Sequence, residues 1–402
     1  MTAIPRYRPQ TRLIVLSAGF RPFFLLGSLW AAVAIPLWLI AFEGRSQIPT
    51  AFSAVVWHVH EMTYGYGAAV VAGFLLTAIP NWTGRFPLQG GGLGALVLLW
   101  IIGRLAVLLS SILGTVPTAV LDLAFPVAFL GVVAREIVTG RNWRNMPMVG
   151  ALALLLLGNL LVHLEAVGVS QTAEVGNRLG VATLLMLISF VGGRIVPSFT
   201  RNWLAKMRPE IAAPASFDLI DRGVLAVTAV ALAIWVLAPE AAPAPWAELA
   251  AGLALSARLA RWRGGATLRE PLLWIMHIGY AWLSLGFLLL AFSGFEPLMP
   301  QTAALHALTA GAIGTMTLAV MTRASLGHTG RSLVAGPGTT TIYMLVTLAV
   351  VLRLLAPLTD ARYVLMLSLA AVAWSGAFGL FGLLYGRVLM RPRVSSEDAR
   401  SI

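Results

Sequence analysis

The chain has no cysteine, and only 11% of its 402 residues are charged. The first absence excludes disulfides, iron–sulfur clusters and covalently attached haem, and it removes thiolate as a competitor for soft metals. The second excludes an ordinary soluble domain, in which about a quarter of residues carry charge. Acidic residues are the scarcer kind, 16 against 28 basic, which gives a net charge of +12. A nucleic-acid partner does not follow from that balance, because no soluble segment carries the charge. No stretch between apolar runs exceeds about 20 residues, too little for a separate folded domain. Residues 1–402 therefore read as a single integral membrane domain, with the lipid bilayer as its solvent.

What the chain does have is hydrophobicity: 58% of its residues are apolar and the mean hydropathy is +0.84. A helix needs about 20 apolar residues to cross a hydrocarbon core. Such runs recur at 22–42, 54–79, 91–113, 116–139, 147–169, 177–199, 217–239, 245–261, 271–293, 301–323, 336–358 and 361–386. The expected fold is all-α and polytopic, with about twelve transmembrane helices. The first run is too long for a signal peptide and lacks a small-residue cleavage site, so it reads as a retained helix.

Basic residues orient the helices, since cytoplasmic loops retain positive charge. With both termini inside, Arg45, Arg178 and Arg362 alone fall outside, and Arg104, Arg194 and Arg353 fall within spans. The rest of the 28 basic residues, among them Arg6, Arg8, Arg12 and Arg400, lie inside. Asn81-Trp82, Asn142-Trp143, Asn202-Trp203 and Arg261-Trp262 recur at intervals of about 60 residues, each at an inner exit. Six helical hairpins would give that spacing, and so would the ordinary preference of Trp and Arg for the interface.

Four of the six histidines fall at one depth. With a rise of about 1.5 Å per residue, His58 and His60 lie about 6–9 Å below the outer surface, His163 about 9 Å and His306 about 7 Å. Glu61 and Asp122 share that layer. A lone intramembrane histidine usually hydrogen-bonds a neighbouring helix, but four together point to a metal or haem site. Imidazole without thiolate suits haem iron or copper. His58 and His60 point to opposite sides of an ideal helix, so they serve different partners unless the helix is distorted there. Toward the cytoplasm, His277 and His328 form a sparser second pair, each with an ordinary structural explanation as well. Arg104 is a buried charge for which Asp122 or a haem propionate is a partner. Arg194 either contacts a cofactor in the same way or snorkels to the inner interface.

Several longer motifs carry a family resemblance. They are Ala18-Gly19-Phe20-Arg21-Pro22-Phe23-Phe24, Trp57-His58-Val59-His60-Glu61 and Asn81-Trp82-Thr83-Gly84-Arg85, then the run from Gly192-Gly193-Arg194-Ile195 to Asn202-Trp203, His277-Ile278-Gly279-Tyr280-Ala281-Trp282, and the run from Gly311 to Arg323. From residue 18 to about 390 the chain resembles the NnrS family. The resemblance implies a bacterial inner-membrane protein of twelve helices that holds haem and copper and serves the nitric-oxide stress response. The family pattern includes the histidines at 58, 60, 277, 306 and 328.

The reading that follows is a redox or protective protein acting on nitric oxide at a haem–copper site in the outer half of the membrane, an oxidoreductase if it turns over. Reduction would also require an electron donor. Glu61, beside His60, would carry protons or else orient a metal-bound histidine. The alternatives are a membrane sensor and a metal or small-molecule permease, the latter resting on fold analogy alone.

Overall fold

The structure, a computed structural model, describes residues 13–296 and 300–394. Arg6, Arg8, Arg12 and Arg400, which entered the charge count, lie outside them. The described chain is helical throughout and has no strand. Its helices are α1 (Phe20–Phe42), α2 (Ala54–Thr83), α3 (Gly90–Leu108), α4 (Thr115–Thr139), α5 (Met146–Ala166), α6 (Ala173–Met207), α7 (Leu219–Leu237), α8 (Ala244–Ala260), α9 (Pro271–Phe295), α10 (Gln301–His328), α11 (Pro337–Leu355) and α12 (Tyr363–Met390). Each coincides with one of the twelve apolar runs. Eleven are long and apolar enough to cross a membrane. The exception is α8, whose 17 residues fall short of the usual crossing length of about 20.

Helix ends follow local chemistry. Asp218 caps α7 and forms a capping box with Asp221, so the first free amides are satisfied reciprocally. Pro271 and Pro337 open α9 and α11, where a missing N–H costs nothing.

Three helices are interrupted by π turns, in which each N–H reaches back five residues instead of four. The π segments are Glu61–Gly67 in α2, Ile188–Gly192 in α6 and Ala307–Gly314 in α10. A π turn leaves backbone carbonyls misaligned, and side chains take them up. Trp100 Nε1 donates to Gly65 O at 2.9 Å. Arg258 Nη1 donates to Ser189 O at 2.8 Å.

The chain divides into two compact units. Among the described residues the first holds 13–180, 324–332 and 381–394, the second 181–296, 300–323 and 333–380. In the first unit α1 packs along α2, α3 along α4, and α4 along α5. Arg21, at the start of α1, donates to Leu389 O and Arg391 O at 2.6 and 2.8 Å. In the second unit α7, α8 and α9 pack in sequence, and both α9 and α11 lie against the first half of α10. Its core includes Arg258, fully buried, whose Nε donates to Asp221 Oδ1 at 2.6 Å and whose Nη1 donates to Tyr280 OH at 3.0 Å. The charge count assigns this arginine to the cytoplasmic side. In the fold it is a buried tie between α7, α9 and the π turn of α6.

Candidate metal centre

The first unit contains a polar cluster built by five helices and buried except for the half-buried Trp30. α1 contributes Trp30, α2 contributes His60 and Glu61, α3 contributes Arg104, α4 contributes Asp122, and α5 contributes Asn159 and His163. His60, Glu61, Asp122, Asn159, Arg104 and His163 are all at most 4% exposed. The π turn starts at Glu61, so the helix is distorted where the sequence placed its conditional exception. His60 and Glu61, consecutive in sequence, both face the interior.

Arg104 is the hub. One terminal nitrogen donates to Glu61 Oε1 at 2.6 Å, and the other donates to Asp122 Oδ1. Trp30 Nε1 donates to Glu61 Oε2 at 2.7 Å. Asn159 Nδ2 donates to Asp122 Oδ2 at 2.8 Å, which fixes the amide so that its oxygen faces His60. Such burial is tolerable only with nearly complete pairing, since removing one partner strands a charge in a medium that cannot solvate it.

Both ring nitrogens of His60 face acceptor oxygens. Nδ1 lies 3.1 Å from Glu61 Oε1, and Nε2 lies 2.9 Å from Asn159 Oδ1 and 3.2 Å from Asp122 Oδ2. That arrangement calls for two N–H donors, or for one N–H and a metal ion. The charges say the same, because two carboxylates and one guanidinium leave the cluster one cation short of neutral. A proton on the imidazole or a bound cation would supply it.

The donor set fits a metal. His163 Nε2 lies 3.0 Å from the same Asp122 oxygen, and one ligand atom from each of His60, Asp122 and His163 falls within 4.8 Å of the others. Metal–nitrogen and metal–oxygen bonds of about 2.0–2.2 Å require ligand atoms about this far apart. Glu61 on the far nitrogen of His60 supplies the carboxylate–histidine support that such sites use. His163 Nδ1 is buried and meets no partner among the described residues.

The other histidines lie elsewhere. His58 turns away from the cluster and stacks on Trp38, ring centroids 4.4 Å apart. His306 belongs to the second unit, where its Nδ1 lies 2.7 Å from Thr302 O. His277 is also in the second unit, with Nε2 3.0 Å from the Thr200 hydroxyl and Trp262 beside it. His328 ends α10 in the first unit, 5.5 Å from the Phe20 ring. Arg194 lies over the rings of Phe190 and Phe217.

The model of the NnrS protein family matches residues 14–393. The chain belongs to the NnrS family. Among curated proteins none matches it. As an NnrS protein it is a multi-pass membrane protein with a buried His/Asp/His group able to hold a metal ion.

Sequence reasoning found Asp122, Glu61 and Arg104 but missed Asn159, which carries no charge to draw attention in an apolar run. It also missed a repeat. His60-Glu61-Met62-Thr63-Tyr64-Gly65 and His306-Ala307-Leu308-Thr309-Ala310-Gly311 share the pattern His-x-x-Thr-x-Gly, and each histidine directly precedes a π turn. The preceding helix carries Gly-x-x-Trp in both cases, Gly27 to Trp30 and Gly279 to Trp282. Each tryptophan sits against the π-turn glycine, Trp30 on Gly65 and Trp282 on Gly311.

Proposed function

We propose that this NnrS protein is a bacterial inner-membrane component of the nitric-oxide response that acts on nitric oxide at a metal ion held by His60, His163 and Asp122. The observation that carries the proposal is the buried triad of ligand atoms within 4.8 Å of one another, in a cluster otherwise short of one cation. Two imidazoles and one carboxylate suit iron and related first-row ions, and copper accepts imidazole equally well. The ion, when bound, supplies a position for a diatomic ligand and a route for electrons from an external donor. Where haem is also present, one of His58, His277, His306 and His328 would hold it.

The chain's own residues hold and orient. Glu61 fixes the His60 ring through Nδ1, and Trp30 and Arg104 fix Glu61 in turn. Arg104 and Asn159 leave Asp122 Oδ2 directed at the two histidines. Reduction of nitric oxide to nitrous oxide consumes protons as well as electrons, and Glu61 and His60 form the short path on which a proton can be held beside the metal position. Nitric oxide is apolar enough to enter from the lipid without a polar channel.

Metal analysis and absorption spectroscopy of the purified protein test the site, and nitric-oxide consumption with an artificial electron donor tests the activity. Glu61→Gln keeps the volume but removes the titratable proton and turns one accepting oxygen into a donor, so turnover should fall further than metal content does. Full metal content in both His60→Ala and His163→Ala would refute the proposed site. A wild type that binds nitric oxide without consuming it would replace the reductase reading with binding or sensing.

A further inference from the structure

α11 buries one stripe of side chains, Ile342, Tyr343, Val346, Ala349 and Val350. Met344, Leu348, Val351 and Leu355 are exposed on its other side. Arg353 comes four residues after Ala349 and three after Val350, so it continues the buried stripe. A snorkelling arginine would occupy the exposed stripe and spread its head among lipid phosphates. This one faces into the second unit.

There two of its three guanidinium nitrogens are shut off without a partner. Its Nε and Nη1 are out of reach of solvent and have no acceptor among the described residues. The last carbonyls of a helix are the natural acceptors for an arginine in the final turn, yet they are not used. Arg258, in the same unit, makes the contrast, because its buried guanidinium is met by Asp221, Ser189 O and Tyr280 OH. The guanidinium of Arg353 is half-buried, and two shut-off idle donors on it are a demand for an anion.

We propose that Arg353 is the anchor of an oxyanion site in the second unit, which takes a carboxylate or phosphate from outside the chain. An anionic lipid headgroup and a free small oxyanion share the required chemistry.

Thermal unfolding of the full-length protein in non-ionic, lipid-free detergent separates the two sources. The probes are phosphatidylglycerol in mixed micelles and inorganic phosphate. Without either probe, Arg353→Leu should melt at or above the wild type, because it removes an uncompensated charge. An added probe should raise the wild-type midpoint by a few degrees and leave the variant unmoved. A response to phosphatidylglycerol alone identifies a lipid headgroup, and a response to phosphate as well identifies a general oxyanion site. Arg353→Gln replaces the leucine variant if that one does not assemble. The proposal is overturned if neither probe stabilises the wild type, or if the variants gain as much as it does.

Discussion

The two His–π-turn corners share a frame and differ in chemistry. In the first unit Trp30 donates to Glu61, which is held by Arg104, which is held by Asp122. In the second unit Ala307 stands where Glu61 would be, and the buried Trp282 Nε1 has no partner among the described residues. The same backbone device therefore supports one charged corner and one neutral corner. The π turn with its glycine under a tryptophan is a scaffold, and the carboxylate after the histidine adds a charge that a cation could answer. The comparison can be broken or sharpened by substitution.

The largest difference should be in bound metal. His60→Ala and His163→Ala should each lose the first corner's ion, measured by elemental analysis, whereas His306→Ala should leave that ion in place. Equal loss from all three would end the distinction between the corners. Next comes Arg104→Met, which strands two buried carboxylates and should destabilise the protein by roughly 3–5 kcal/mol. Trp282→Phe in the neutral corner should change the melting temperature little, since the lost N–H makes no bond.

How much of this was legible beforehand depended on the kind of signal. Apolar runs carry the positions of the twelve helices, eleven of them with the length and composition that crossing lipid imposes. Asp122 as the partner of Arg104 was legible too, since a buried charge demands an opposite one. The common layer of four histidines resolves only in part. His60 and His163 meet on Asp122, His58 turns to Trp38, and His306 belongs to the other unit. Depth along a helix follows from residue count, but direction around it depends on turns such as Glu61–Gly67, which shift the register in a way that simple periodicity does not show. Arg258 shows the same limit, because a basic residue at the end of an apolar run looks alike whether it faces water or a buried aspartate.

A smaller effect separates the two π-turn glycines. A methyl group at Gly65 would press on Arg104 Nη1 and Glu61 Oε2, each 2.8 Å away, whereas at Gly311 it would press on the Trp282 ring at 2.9–3.1 Å. Overpacking of this kind costs roughly 1–3 kcal/mol. Gly65→Ala should fall at the upper end and also weaken metal binding, and Gly311→Ala should cost stability alone. Thermal unfolding and metal titration of the two variants check both halves.

The smallest effect lies outside both corners. Arg261 bonds the Asp218 carboxylate, and with the Asp221 amide it holds that group below the usual carboxylate range. A group lowered in this way stabilises the fold above its unfolded value, about 3.9, and loses that contribution as pH falls toward its folded value. Asp218→Asn keeps the helix cap, so any deficit in its melting temperature should be slight at neutral pH and should shrink below about pH 4. A deficit that persists at low pH would assign the effect to the cap and not to the charge.

A π turn is an α-helix carrying one residue more than its ladder needs. Were the stretch Glu61–Gly67 to close into regular helix with its length unchanged, everything beyond would rotate by about 100° relative to His60. The buried face of Ala69, Ala72, Leu75, Leu76 and Ile79 would then swing toward lipid. The extra residue and the π turn are thus a matched pair, and related chains should keep both or lose both.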